Sequence, residues 1–84
     1  QALKIETRLN GKTMQQACTA EMILSVVDIV IYLSKFTTLK PGDIIATGTP
    51  SGVGMSRNPQ IWLASGDMIE ICISSIGCLN NLVV

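Results

Sequence analysis

Histidine is absent from the 84 residues, and that absence excludes much chemistry at once. A Ser-His-Asp or Cys-His arrangement cannot form within the chain, because neither Ser51 nor any cysteine has its usual base. Charge is also scarce. Only 14% of residues are charged, against a usual share of about a quarter, and net charge is zero, with Lys4, Arg8, Lys12, Lys35, Lys40 and Arg57 scattered along the sequence. Nucleic-acid binding needs a basic face, so that class is set aside. The three cysteines, Cys18, Cys72 and Cys78, are odd in number and lack Cys-x-x-Cys spacing. Neither a disulfide framework nor a zinc knuckle is expected, and a reducing cytoplasm fits best. The longest helical apolar run, "MILSVVDIVIYL", is interrupted by Asp28 and too short to span a bilayer, so no membrane role is expected.

Apolar residues are plentiful. They make up 48% of the chain, while a domain of this length buries only about two-thirds of its unfolded surface. Apolar side chains therefore outnumber the interior places available to them. No charged side chain occurs between residues 44 and 56 or after Glu70. A tail reading "ICISSIGCLNNLVV" is an aggregation hazard as an open edge. It calls for a cover of further chain or of another subunit, the alternative being an ordinary buried strand in a compact monomer.

The pattern is α+β, mostly β. "ALKIETRLNGKTMQQ" alternates on either side of Asn10-Gly11, which predicts a hairpin of two antiparallel strands. Thr19 is placed to cap a helix with Glu21 in its first turn. Met22, Ile23, Val26, Val27, Val30, Ile31 and Leu33 then recur at helical spacing, giving one amphipathic helix over about residues 20–35 that packs on something flat. Pro41-Gly42-Asp43 and Gly66-Asp67 each predict a turn that opens a strand. Between them "PSGVGMSRNPQIWL" reads as an exposed loop, with Ile61, Trp62 and Leu63 returning to the core.

The carboxylates give no metal pattern. Glu6, Glu21, Asp28, Asp43, Asp67 and Glu70 never occur two apart, so a hard-cation site has to gather them from distant elements. Most read as turn-formers, helix-start charges or strand-face charges, and Glu70 can face either solvent or a cleft. The stretch "DIIATGTPSGVG" is the candidate site. It lacks the Lys-Ser/Thr ending of a phosphate loop and the order of a dinucleotide fingerprint, and Thr49 breaks the Gly-x-Ser-x-Gly pattern around Ser51. Thr47 and Thr49 share a strand face, and Pro50 biases Thr49 toward extended backbone. Gly48 lets another group approach closely, and Gly52 and Gly54 permit left-handed angles that turn amides toward an anion. An ordinary tight turn with threonine in a β-favoured place accounts for the same spacing.

Two longer stretches carry a resemblance. "NGKTMQQACTAEMILSVVDIVIYLSKFTTLKPGDIIATGTPSGVGM" and "GDMIEICISSIGCLNNLVV" together resemble the carboxy-terminal part of the fumarylacetoacetate hydrolase family, especially its 2-hydroxyhepta-2,4-diene-1,7-dioate isomerase and acylpyruvate hydrolase branch. The resemblance implies a partial mixed β-roll, with residues 1–84 as the carboxy-terminal portion of the catalytic domain, generally in a homo-oligomer such as a dimer. It implies a metal-dependent hydrolase or isomerase acting on small anionic oxo-acids or dienoates, by carbon–carbon hydrolysis, decarboxylation or double-bond migration. The family's ion, magnesium, manganese or calcium, is held by a Glu-x-Glu pair and an Asp that have no counterpart here, and its assisting lysine has none either. No catalytic or metal residue is therefore assigned, and the chain is expected to be inactive alone. The substrate-contacting threonine of Thr-Gly-Thr-Pro matches Thr49, with Gly48 allowing close approach. Departures stand at Cys18, where relatives usually have Asn, and at Cys72, Ser74 and Ser75, where they often have Glu or Gly. The alternative is a non-catalytic remnant of the fold that oligomerises or binds small anions.

Overall fold

Asn10 and Gly11 take φ values of 51° and 82°, the left-handed pair that a two-residue hairpin turn demands. In the computed structural model, which describes residues 2–84, this turn joins β1 (Lys4–Leu9) to β2 (Lys12–Cys18), as the alternation predicts. The Asn10 side chain also ties the turn to the next strand. Its Oδ1 accepts from the Met68 N–H at 2.8 Å and its Nδ2 donates to Asp67 Oδ1 at 2.9 Å. β3 (Met68–Ile73) thereby pairs with β1, and β4 (Gly77–Leu82) returns beside β3. The result is a four-stranded antiparallel sheet in the order β2-β1-β3-β4.

Register sorts the side chains. Ile5, Leu9, Ala17, Ile69, Ile71, Ile73 and Leu79 share one face, since residues directly opposite point the same way. Lys4, Glu6, Arg8, Glu70, Cys72 and Cys78 share the other. On that polar face Arg8 forks onto Glu6, at 2.9 and 3.2 Å, and reaches Glu70 at 2.7 Å. Thr13 donates its hydroxyl to Glu6 as well. A bulge interrupts β2, because Thr7 faces Gln15 and Arg8 faces Thr13, which leaves Met14 between them without a cross-strand partner.

Cys72 and Cys78 stand opposite one another across β3 and β4, with Cα atoms 4.0 Å apart, and form a disulfide. This corrects the expectation of no disulfide. The spacing of six residues matches no familiar motif, but the hairpin between them closes it. The case for a reducing cytoplasm loses the part that rests on unpaired cysteines. No described helix is long and apolar enough to cross a membrane.

The one α-helix among the described residues, α1 (Val26–Ser34), lies inside the predicted span but is shorter. Ser25, not Thr19, caps it. The Ser25 hydroxyl accepts from the Asp28 N–H at 3.1 Å and the Asp28 carboxylate accepts from the Ser25 N–H at 3.3 Å, a reciprocal box that fixes the start. Thr19 is already engaged, accepting from the Leu3 N–H at 2.9 Å, and Thr19–Glu21 forms a single 3-10 turn. No residue of α1 is buried, so the expected packing on a flat surface is absent among the described residues.

The two Gly-Asp turns are the same object. Asp43 accepts from the Lys40 N–H at 2.8 Å and Asp67 from the Ala64 N–H at 2.9 Å, with Gly42 and Gly66 at φ 94° and 92°. Only the second opens a strand. The segment after Asp43 pairs with nothing described and Ile44 is 95% exposed, because a strand needs a neighbour as well as a turn. Trp62 and Leu63, expected in a core, are both more than half exposed.

No described residue is buried. The Cα radius of gyration is 15.3 Å, against about 12 Å for a compact domain of this length. The accessible surface of 6682 Å² exceeds by roughly 1,800 Å² that of a compact 9.0 kDa monomer. That excess is the size of a stable protein–protein interface. The isolated chain is expected to bind a hydrophobic dye and to melt over a broad range without a cooperative step; a sharp calorimetric transition with no dye binding would contradict this.

Glu6 is held below the ordinary carboxylate range, first by the Thr13 hydroxyl and then by Arg8, whose own pKa rises in return. A carboxylate lowered in the folded state adds stability that is present above its ordinary value and is lost as pH falls through the lowered one. Thr13→Val is therefore expected to shift the Glu6 titration upward, read from its side-chain carboxyl resonance, and to bring acid destabilisation to a higher pH.

Candidate functional site

The bulge in β2 aims a loop dock. With Met14 out of register, its carbonyl accepts from Arg57 Nη2 at 2.7 Å, while Arg57 Nε donates to the Gly52 carbonyl at 3.0 Å. Arg57 thus bridges strand and loop. Gly52 lies so close to β2 that a Cβ there would sit 2.1 Å from the Met14 oxygen, and its φ is 107°. Gly54 is pressed equally hard, with a Cβ position 2.0 Å from the Ile61 oxygen, and its carbonyl accepts from the Ile61 N–H at 2.9 Å. The sequence suggests left-handed angles at both glycines. Only Gly52 takes one, and both are required chiefly by close approach.

Thr49 and Gly48 precede this docked segment. Gly48 has φ 94° and nothing within 4 Å of where a Cβ would stand. Thr49 is exposed. From β2, Gln15 Nε2 donates to Thr49 Oγ1 at 2.8 Å and to the Pro50 carbonyl at 2.7 Å. The two residues singled out from sequence therefore stand side by side, open to solvent, at the edge of a clamped loop.

Gln15 and Arg57 are the positions that sequence reasoning misses. Arg57 reads there as one scattered charge. Gln15 carries a signal: it shares the isoleucine-rich face with Thr7, and a polar group on an apolar strand face needs a partner.

The docked loop carries one full charge, the Arg57 guanidinium held by the Met14 and Gly52 carbonyls, while the groups that touch Thr49 are neutral dipoles. Every carboxylate in the chain is engaged away from it: Glu6 and Glu70 with Arg8, Asp67 with Asn10, Glu21 with the Cys18 N–H, Asp28 with Ser25, and Asp43 with the Lys40 N–H. Asp67 is lowered by Asn10 and by the Ala64 N–H. The one described group of three potential metal ligands, Glu70, Cys72 and Cys78, spends both sulfurs in the disulfide. A magnesium-like ion wants several oxygen ligands, and these residues do not fit one. An open groove of about 550 Å³ beside the disulfide is lined by Lys4, Glu6 and residues 72–78, and does not include Thr49.

Residues 1–84 match the family model "Fumarylacetoacetate (FAA) hydrolase C-terminal". The oxaloacetate tautomerase YisK of Bacillus subtilis is 52% identical over 79 residues, covering 94% of this chain and 26% of that protein. A fumarylacetoacetate hydrolase structure from Exiguobacterium antarcticum superposes with a TM-score of 0.93 at 44% identity, over 98% of this chain and 30% of its own. A 2-hydroxyhepta-2,4-diene-1,7-dioate isomerase structure from Mycobacterium marinum gives 0.84 at 43% identity, over 99% and 30%. The chain spans about a quarter to a third of the length of such relatives.

The glycines separate by what surrounds them. Gly48→Ala meets open space and costs only the strain of its positive φ, about 1–2 kcal/mol. Gly52→Ala adds a clash with the Met14 carbonyl, so its loss of stability in the complete protein is expected to exceed that of Gly48→Ala by urea denaturation; equal losses would show that the loop does not dock on β2.

Proposed function

The chain belongs to the fumarylacetoacetate hydrolase family, and from that premise we propose that it is the carboxy-terminal portion of a catalytic domain in a hydrolase or isomerase acting on oxo-acids or dienoates. In this reading Thr49 and Gly48 form an uncharged wall of the substrate site. The observation that carries it is the exposed Thr49 hydroxyl, held by Gln15 beside the open space at Gly48. The wall lies in a stretch that carries no charged side chain from residue 44 to 56. Relatives named as oxaloacetate tautomerase and dienedioate isomerase support a small carboxylate-bearing substrate.

What these residues do follows from their chemistry. The threonine hydroxyl donates to a carboxylate or oxo oxygen, and a hydrogen bond to a charged group contributes about 1.5–3 kcal/mol. Gly48 presents no Cβ, so a ligand can lie against the backbone at that point. Metal chemistry belongs to carboxylates outside the described residues, and no step is assigned to an ion here. The exposed apolar surface supports assembly, with more of the catalytic domain and with a second copy. The same surface favours the rival reading of a non-catalytic, oligomerising remnant.

The two separate by experiment. In the protein expressed from its complete coding sequence, with magnesium present, Thr49→Val is expected to lower kcat/KM for oxaloacetate or acylpyruvate turnover by about 10- to 100-fold. Thr49→Ser should keep most of it. Unchanged kinetics in Thr49→Val would remove Thr49 from the site, and an inactive complete protein that still oligomerises would favour the remnant.

A further inference from the structure

We propose that Gln15 is a positioning residue that sets the polarity of the Thr49 hydroxyl, biasing its proton outward as a donor toward an anionic ligand. The inference rests on the reading of Thr49 as a substrate contact. Its starting point is the Pro50 carbonyl, which can only accept. The end of the Gln15 side chain 2.7 Å from that carbonyl must therefore be the amide nitrogen, whichever way the amide is otherwise assigned. That nitrogen carries two protons. One serves Pro50, and the other serves Thr49 Oγ1 at 2.8 Å.

The consequence falls on the threonine. Its oxygen spends one lone pair on Gln15, so its own proton cannot point back along that line and rotates toward other partners. No acceptor among the described residues takes it. A hydroxyl left to rotate freely suits a donor or an acceptor equally, whereas this one presents a proton first. Carboxylate and oxo oxygens satisfy it, and an ammonium does not. Gln15 is itself well placed to hold this line, being half-buried on β2 directly after the Met14 bulge that Arg57 clamps to the loop.

A merely structural tie and a polarity-setting contact predict different orders of effect. Gln15→Leu releases the hydroxyl, while Gln15→Glu keeps the shape but replaces the donor by a carboxylate. That carboxylate repels the Pro50 carbonyl and draws the Thr49 proton inward. The test is calorimetric binding of oxalate, in magnesium buffer, to the complete protein and to Thr49→Val, Gln15→Leu, Gln15→Glu and the Gln15→Leu/Thr49→Val double variant, with thermal midpoints measured alongside. Thr49→Val is expected to weaken oxalate about tenfold or more, Gln15→Glu by a similar factor, and Gln15→Leu by less than Gln15→Glu. The double variant should bind no worse than Thr49→Val alone, because with the hydroxyl gone Gln15 has nothing left to orient toward the ligand, and leucine brings no charge of its own. Additive losses, or a Gln15→Leu variant weaker than Gln15→Glu, would overturn the inference while leaving Thr49 in the site. Unchanged binding in Thr49→Val would overturn the site itself.

Discussion

The approach of residues 52–57 onto the bulge of β2 is the constraint from which the candidate site follows. One irregularity in the β1–β2 pairing leaves Met14 without a partner and frees its carbonyl. An unpaired carbonyl facing away from the ladder wants a donor, and Arg57 supplies one while holding the Gly52 carbonyl with the same guanidinium. The planar fork makes both contacts from two nitrogens held at fixed separation, whereas a lysine has one nitrogen with freely rotating donors. Gly52 is then the residue whose missing Cβ lets two backbones meet. With the loop fixed at that point, Gln15, the next residue along β2, falls within reach of Thr49 and Pro50. Remove the bulge and the following residues change faces, so Gln15 would leave the loop.

This local order coexists with the absence of an interior. Most of the ordering comes from backbone ladders, from turns closed by Asn10, Asp43 and Asp67, and from the Arg8 fork on the polar face. Such contacts fix geometry but contribute little net free energy each, about 1 kcal/mol for a hydrogen bond and less for an exposed ion pair. The isoleucine face of the sheet and the apolar residues of α1 are where larger stabilisation lies, about 25 cal/mol per Å² once covered. The chain specifies shape on its own and leaves its main source of stability for whatever closes over those faces.

What was legible in the sequence divides along the same line. Interactions between near neighbours could be read: the Asn10-Gly11 hairpin, β3 after Gly66-Asp67, one helix, and the exposed loop from Pro50. Features that depend on distant pairing could not. The Gly42-Asp43 turn has the same hydrogen bonds as its twin, yet no strand follows it, and nothing local distinguishes the two. A threonine followed by an acid at Thr19 and Glu21 fits a helix cap by sequence, whereas Ser25 and Asp28 form the complete reciprocal box. The Cys72–Cys78 bond needed the β3–β4 register, and Arg57 needed the bulge. At the site, Thr49 and Gly48 are singled out by the resemblance to the family's Thr-Gly-Thr-Pro, since their spacing alone also fits an ordinary turn, while Gln15 requires knowing which strand face it occupies.

A neutral wall has a physical advantage for a substrate gripped elsewhere by a divalent ion. Two unit charges 4 Å apart interact by about 4 kcal/mol at the effective dielectric of a protein surface, so a lysine at Thr49 would bind the bare anion strongly and also repel the incoming cation. A hydroxyl oriented by Gln15 does neither. It adds a directional contact whose strength grows with the negative charge on the oxygen it meets, and it adds no full positive charge beyond that of Arg57, whose guanidinium is held by the Met14 and Gly52 carbonyls. On the proposed reading, binding is then contingent on the ion, and the uncharged run from residue 44 to 56 is what keeps it so.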